Sequence, residues 1–470
     1  MTIMQYFTYK LKATLKDMKK SPIILWAICF LLTSLIFRED GATNEMSRYA
    51  TLRAMSDQLS FKIDSYVPWT VDWAKKDGHY YSNKAPGPML IGFPIFLLLD
   101  QFSKFDRKDR KNEQGHRITK VSSTPRVIMS LIFQIIPFIV ICLLICKWLQ
   151  KNTSLGDSSL HFFAISILFA NTAAIFMNTY FGHGMSSLFV LAMCLSLQKK
   201  NYLFMGLFFG LALLCEYTVA LILFPLITSF FIFSSSPLKK WFPSFLLGGV
   251  VPGTLWCLYH YKAMGSIIQM PTQYQNPRFI EVIDQAHLLW GIFSLPKVEI
   301  IIELLFGFQR GLLVTQPWIL VIFTLSIFNL FNKKSNLVIK QISFVATTGL
   351  VLLICLNSSF NGWHGGGTSG PRYLAFILPI FSIIGAYFWH NSTKLIKIIL
   401  ASSLGFSVLF RVLVYGSRVT SPEGFSLWPW LLNDLSEKDG MKGEVRALTM
   451  LLTLTFIGIY YFKKLRASES

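Results

Sequence analysis

The chain is 470 residues long, 53% hydrophobic and 15% aromatic, and only 14% of it is charged. Soluble domains carry roughly a quarter charged residues, so a cytosolic enzyme, a disordered chain, a collagen-like fibre and a secreted disulfide scaffold are excluded. The 44 Lys and Arg against 24 Asp and Glu give a net charge of +20, which in a soluble protein would point to nucleic acid. In a chain this apolar the same excess marks the cytosolic loops of a polytopic membrane protein, and no nucleic-acid partner is expected. Cys29, Cys142, Cys146, Cys194, Cys215, Cys257 and Cys355 all lie in apolar runs with no Cys-x-x-Cys pair, so no disulfide framework is expected.

The first apolar run, 22–37, follows Lys10, Lys12, Lys16, Lys19 and Lys20 with no small-residue cleavage site after it, the pattern of a retained signal-anchor. Further runs of span length fall near 126–147, 159–178, 184–198, 202–216, 217–234, 242–259, 312–331, 338–356, 373–390, 395–415 and 447–462. The stretch 201–236 is too long for one crossing and is divided at Glu216, its only charge. Segment 86–100 decides the topology. As a helix it reaches ~22 Å against ~30 Å of hydrocarbon, and Pro86, Pro88 and Pro94 interrupt it. If it does not cross, Lys147 and Lys151, Lys199 and Lys200, Lys239 and Lys240, Lys333 and Lys334, Lys394 and Lys397, and the tail Lys463, Lys464 and Arg466 all share the side of the basic N-terminus. The expectation is one all-α polytopic domain over 1–470 with both termini cytosolic and 86–100 re-entrant or interfacial. The loops 38–125, 260–310 and 416–446 then share the outer face with 178–184, Glu216 and 361–372.

The first outer loop concentrates the chemistry: Asp40, Glu45, Arg48, Tyr49, Asp64, Asp72, His79, Tyr81 and Lys84. A carboxylate at the lip of a span can take a proton from a hydroxyl, and Arg and Lys beside it can hold a phosphate. The plainer reading makes Thr43 or Asn44 a helix N-cap with Glu45 favouring the first turn. Arg372, after Gly370-Pro371, either joins the phosphate grip or is an interfacial snorkelling residue. Asp72, His79, His183 and Glu216 are nitrogen and carboxylate donors suited to a divalent metal, although no His-x-x-x-His pair exists. His183 alone reads equally as a hydrogen-bonded interfacial residue. Trp363-His364-Gly365-Gly366-Gly367-Thr368 is either a backbone-amide cradle or a turn, and loop 260–310 is long enough for an acceptor lid. The sequon at Asn391 falls on the cytosolic side.

The order carboxylate, Arg48-Tyr49-Ala50, short helix, then Tyr81-Ser82-Asn83-Lys84-Ala85-Pro86 resembles the GT-C superfamily of polyprenyl-phosphate-sugar glycosyltransferases. It is most similar to the glycosyltransferase family 39 type, which includes protein O-mannosyltransferases and the lipid A aminoarabinose transferase. Members show Asp-Glu-x-Arg-Tyr-Ala and then Tyr-x-x-Lys-Pro-Pro. Here Glu45 stands at the family's catalytic Asp and Met46 at its Glu, which leaves Asp40 as the alternative base. An uncharacterised bacterial GT-C-like subgroup is closer still, through Ile63-Asp64-Ser65-Tyr66, Gly78-His79-Tyr80-Tyr81, Tyr180-Phe181-Gly182-His183-Gly184, Glu216-Tyr217, Arg310-Gly311-Leu312 and Gly370-Pro371-Arg372-Tyr373-Leu374.

The resemblance implies a GT-C-like bundle of about 12 transmembrane helices with juxtamembrane helices in a large first extracytoplasmic loop. It implies an inverting transfer of a sugar from a polyprenyl-phosphate donor to an acceptor hydroxyl at the outer face of the membrane. A lipid, a glycan or a protein remains open as acceptor, and the expected location is a bacterial cytoplasmic membrane. Glu45, Asp40 and Asp72 are the expected catalytic carboxylates. Arg48 and Lys84 match phosphate-holding positions, with Tyr81 beside them and Arg372 added from its place at the membrane lip. Tyr49, Asp64, His79 and Tyr373 are expected at the substrate. Some members bind a divalent metal, for which His183 and Glu216 are the candidates. The competing classes are a multi-pass transporter or lipid flippase and a non-catalytic scaffold. Transporters place ionisable groups in mid-span, whereas here Arg411 is the rare span charge and the rest lie in outer loops.

Overall fold

In the computed structural model the residues described are 23–36, 42–102, 107–111, 117–121, 123–153, 155–233, 237–279, 293–308, 310–360, 362–366, 370–416 and 447–460. Asp40, residues 280–292 and 417–446, Gly367 and Thr368, and the basic segments at both ends lie outside them.

Every apolar run read from the sequence is helical. The helices are α1 (Ile24–Ile36), α2 (Thr43–Gln58), α3 (Gly87–Phe102) and α4, which runs from Ser123–Ser130 through a π turn at Leu131–Ile135 into Ile136–Thr153. There follow α5 (Asp157–Phe169), α6 (Thr172–Phe176), α7 (Gly182–Gln198), α8 (Tyr202–Cys215), α9 (Ala220–Phe233) and α10 (Leu238–Met264). The second half holds α11 (Val298–Phe306), α12 (Leu312–Thr315), α13 (Pro317–Phe331), α14 (Leu337–Ser359), α15 (Leu378–Asn391), α16 (Lys394–Gly416) and α17 (Ala447–Tyr460). The architecture is an all-α polytopic membrane bundle. Among the described residues, four helices are long and apolar enough to cross a bilayer by length and composition alone, among them α10 and α14.

Two runs expected as single helices are broken, each for a local reason. Run 159–178 stops at Ala170 because Asn171 caps α6, accepting the Ala173 N–H, and caps end a helix as firmly as they start one. Run 312–331 breaks at Gln316 because Pro317 opens α13, the position where a missing N–H costs nothing. Across this seam Gln316 accepts the Thr172 N–H at 2.9 Å and Trp318 donates to the Ala170 carbonyl at 2.8 Å. The division at Glu216 holds: its backbone is extended (φ −151°, ψ 112°) and separates α8 from α9.

Segment 86–100 forms α3, 16 residues long, or ~24 Å. Pro86 precedes it and Pro88 sits in its first turn, so only Pro94 interrupts its ladder. The helix start is clamped where Tyr180 Oη donates to the Pro88 carbonyl at 2.6 Å. The sequence reading had no strands in the first loop, yet β1 (Trp73–Lys76) and β2 (His79–Ser82) form an antiparallel hairpin. Its turn is Asp77-Gly78 with both φ positive, 51° and 82°, the Asp-Gly turn that matches strand twist. A second ribbon joins β3 (Arg107–Lys111) to β4 (Arg117–Val121).

The first loop docks onto the stretch after α10. Ala74 bridges to Gln275, Asn276 N–H donates to the Trp73 carbonyl at 3.0 Å, and its side chain donates to the Val71 carbonyl at 3.1 Å. Lys76 Nζ reaches the Met264 carbonyl and Gln269 Oε1. The polar segments thus gather at one end of the bundle.

Within the bundle α8 and α10 cross backbone to backbone. A Cβ at Gly206 would overlap the Phe245 carbonyl, and one at Gly248 the Leu203 carbonyl, the small-residue contact through which membrane helices approach closely. Gly206→Ala should therefore destabilise the protein by about 1–3 kcal/mol. Gly253→Ala, on the same helix with nothing within 4 Å of the new Cβ, should not. Thermal unfolding of the detergent-solubilised variants checks the contrast.

Candidate active site

The helix α2 reads TNEMSRYATLRAMSDQ, a mostly polar sequence, yet Asn44 through Ala54 are all buried. A buried polar group must find a hydrogen bond, and these side chains do. Ser47 Oγ donates to the Asp72 carbonyl at 2.6 Å and shares a hydrogen bond with Ser82 Oγ at 2.7 Å. Thr70 Oγ1 donates to the Thr43 carbonyl at 2.7 Å. Arg53 pairs with Asp100 of α3 at 2.7 Å and lies over the Phe96 ring. The N-cap is Ala42, without a side-chain cap bond, so neither Thr43 nor Asn44 caps the helix. Asn44 is buried with its side chain on Arg48, whereas Thr43 at the helix start is exposed.

Glu45 is 2% exposed, and both of its oxygens are engaged. Oε1 accepts the Tyr180 N–H at 3.0 Å and Oε2 lies 3.4 Å from Arg126 Nη1. One turn on, Arg48 Nη1 donates to the Asn44 carbonyl at 2.9 Å and to the Asn44 side chain, while the guanidinium sits over the Phe181 ring. Its Nε is buried without a hydrogen-bond partner among the described residues. Gly182 makes room for it: a Cβ there would lie 3.1 Å from Arg48 Nη2 and overlap the Cys215 carbonyl.

The Asp72 carboxylate accepts from Lys84 Nζ at 2.9 Å. Burial alone would raise Asp72, but the charge and hydrogen bond of Lys84 outweigh it and hold the carboxyl below its usual range. Burial, reinforced by Arg372 and Arg48, lowers Lys84 below the ordinary lysine range against the opposing pull of Asp72. Arg372 Nη2 donates to Tyr373 Oη at 2.8 Å and its stem rests on Gly365, whose φ is +72°. Arg372 Nε is likewise buried and unpartnered among the described residues. His183 Nδ1 lies 2.8 Å from Glu216 Oε2. The ring nitrogen makes no well-aligned hydrogen bond there, so the contact is one of charge and packing. The imidazole is edged by Phe176 and Tyr373.

Arg48 and Arg372 thus lie within electrostatic reach of both Asp72 and Glu216, and Lys84 within reach of Asp72 and both arginines. Three fixed cations face two carboxylates, with two guanidinium Nε–H groups still to be satisfied, an arrangement that lacks one negative charge. It fits a phosphate, the anion that arginine forks match.

Other residues singled out in the sequence stand apart. Asp64 and His79 pair with each other at 2.8 Å, both about two-fifths exposed, and Asp64 Oδ1 accepts the Tyr80 N–H. Tyr49 and Tyr81 belong to an apolar cluster with Met89, Phe96, Tyr180 and Tyr259. Among the described residues no three His, Cys, Asp or Glu gather to hold a metal. Among the described residues His183 and Glu216 supply two donors only, with two arginines in range, a set that does not by itself make up a divalent-ion site. Arg126 and the Tyr180 amide were not anticipated as partners of Glu45. Arg126 opens an apolar run, where a basic residue reads as an ordinary span end, and a backbone amide leaves no mark in a sequence.

Residues 113–258 match the family model for dolichyl-phosphate-mannose-protein mannosyltransferase. That stretch contains Arg126, His183 and Glu216 and begins after the first-loop motifs, so it and the Arg-Tyr-Ala and Tyr-x-x-Lys resemblance are separate signals for the same class. The chain is thus similar to the GT-C membrane glycosyltransferases on two independent stretches. Among solved structures, it resembles ArnT from Cupriavidus metallidurans, crystallised with undecaprenyl phosphate, at 12% identity and a TM-score of 0.48 over 97% of this chain and 76% of that one. No curated relative matches the chain.

The Glu45–Arg126 pair, with side chains 3% and 6% exposed, gives a direct test of the α2 anchor. Arg126→Leu leaves a buried carboxylate with one partner and should cost about 3–5 kcal/mol, and replacing both members, as Glu45→Gln with Arg126→Leu, should recover much of it. Thermal unfolding of the single and double variants reads the difference.

Proposed function

We propose that the protein is an inverting glycosyltransferase that takes a sugar from a polyprenyl-phosphate donor and delivers it to an acceptor hydroxyl at the extracytoplasmic face of a bacterial cytoplasmic membrane. The observation that carries this is the convergence of Arg48, Lys84 and Arg372 beside Asp72 and Glu216, with two guanidinium nitrogens left for an anion. The sugar-phosphate lipid named in the family description supports the donor class.

The acceptor oxygen attacks the anomeric carbon, the bond from that carbon to the phosphate oxygen breaks, and the acceptor proton passes to a carboxylate. Charge develops on the departing phosphate, where preorganised cations lower the barrier most. Of the carboxylates singled out in the first loop, Asp72 faces those cations, whereas Glu45 is held by Arg126 and the Tyr180 N–H. We take Asp72 as the base and Glu45 as the residue that seats α2. Lys84 also holds the Asp72 carboxylate in place.

Contact geometry supports placing the first loop and the loop before α7 on one face. Glu45 in the first loop touches Tyr180 in the loop between α6 and α7. Two crossings, by α4 and by α5 with α6, bring the chain back to the same face when α3 does not cross. A cluster at one end of the bundle also suits surface chemistry better than transport, which places ionisable groups in mid-span.

Lys84→Ala and Arg48→Ala should each weaken binding of undecaprenyl phosphate about tenfold or more, measured on purified protein in nanodiscs. Unchanged affinity in both would refute the phosphate assignment. Because Lys84 titrates below the usual lysine range, the affinity should fall with rising pH earlier than a free lysine would give. Lys84→Arg, always charged, should move that fall to higher pH.

A further inference from the structure

Of the carboxylates at this site Glu216 alone is not claimed by a fixed cation. Asp72 gives Oδ1 to Lys84, and Glu45 gives its oxygens to Arg126 and the Tyr180 N–H. Glu216 meets His183 through Oε2, and its other oxygen receives no hydrogen bond from any described residue. It is also the least covered, its side chain 16% exposed against 10% for Asp72 and 3% for Glu45. Glu216, Tyr217 and Thr218, where α8 ends, are all only half-buried.

Both arginines adjoin this carboxylate. Gly182 touches the Arg48 guanidinium and the carbonyl of Cys215, the residue before Glu216. Tyr373 accepts from Arg372, and its ring edge packs on His183, centroids 5.8 Å apart. A sugar joined to a phosphate by one oxygen atom must lie in the immediate surroundings of whatever holds the phosphate. Sugar hydroxyls donate hydrogen bonds, and an ionised carboxylate only accepts them, with charge assistance. His183 lies against one oxygen of Glu216 and leaves the other free to accept.

We infer that Glu216, backed by His183, is the carboxylate that receives the hydroxyls of the donor's sugar, beside the phosphate held by Arg48, Lys84 and Arg372. This rests on the glycosyltransferase reading and adds to it a sugar-binding subsite. Asp72 lies on the Lys84 side of the phosphate and Glu216 on the side of the two arginines. The first then serves the incoming hydroxyl and the second the transferred ring.

The test compares undecaprenyl phosphate with synthetic undecaprenyl-phosphate monosaccharides carrying a hexose, an N-acetylhexosamine or an aminopentose, bound to the full chain in nanodiscs. The wild type should bind at least one sugar-bearing lipid more tightly than the bare phosphate. Glu216→Gln should cut that gain roughly ten- to a hundredfold, the worth of one or two charge-assisted hydrogen bonds. Its affinity for bare undecaprenyl phosphate should stay the same or rise, since a negative charge has gone from beside the cations. Glu216→Asp, which keeps the charge and shortens the reach, should recover part of the gain. The inference is overturned if no headgroup adds affinity to the wild type. Equal loss for bare and sugar-bearing lipids in Glu216→Gln also overturns it, as does an undiminished gain. Failure of the glycosyltransferase reading would show separately, as unchanged undecaprenyl phosphate binding in both Lys84→Ala and Arg48→Ala.

Discussion

Glu45 ties the first loop to the bundle, and the site depends on that tie. Its carboxylate, 2% exposed, accepts the Tyr180 N–H and pairs with Arg126, so one side chain of α2 joins the loop before α7 to the start of α4. A buried charge is tolerated only when its neighbours answer it. Those neighbours therefore fix the depth and rotation of α2, and with it the position of Arg48 one turn along. Ser47, in between, takes up the Asp72 carbonyl and Ser82, which brings the two ends of the hairpin, and with them Asp72 just before β1 and Lys84 just after β2, to the same place. A polar helix enclosed by a membrane protein is in this way the frame on which the cations are mounted.

The bundle was legible in the sequence because apolar runs of membrane length have few other uses, and each run became a helix. Local punctuation explains the departures: Asn171 and Pro317 cut two runs that hydropathy alone joins. The first-loop hairpin is a case of a signal present but not used, since Asp77-Gly78 names its own turn. The cations were legible too, Arg48 and Lys84 through the family pattern and Arg372 through its glycine and proline. What the sequence could not show was which charge answers which. Asp64 and His79 pair outside the cluster, while Glu45 and Arg126, 81 positions apart, pair inside the fold.

Glycine at 182 shows how closely shape and charge are linked here. The residue opens α7, and the space its missing side chain leaves is shared by the Arg48 guanidinium and the Cys215 carbonyl. Three separate stretches of chain, the first loop, the start of α7 and the end of α8, therefore meet within a single residue's width. Glu216 follows at once, so its direction is set by the same contact.

The docking of the segment after α10 against β1 has a mechanical consequence. A two-stranded ribbon exposes an unpaired edge that invites foreign strands, and here Gln275 and Asn276 cover that edge along Trp73 and Ala74. The cover is fastened again by Lys76, which reaches back to Met264 and Gln269. Swinging 265–279 outward would strip the ribbon of its cap and uncover backbone amides at once. The two segments are therefore fastened to each other at several points along their length, and neither can leave without freeing the other's backbone.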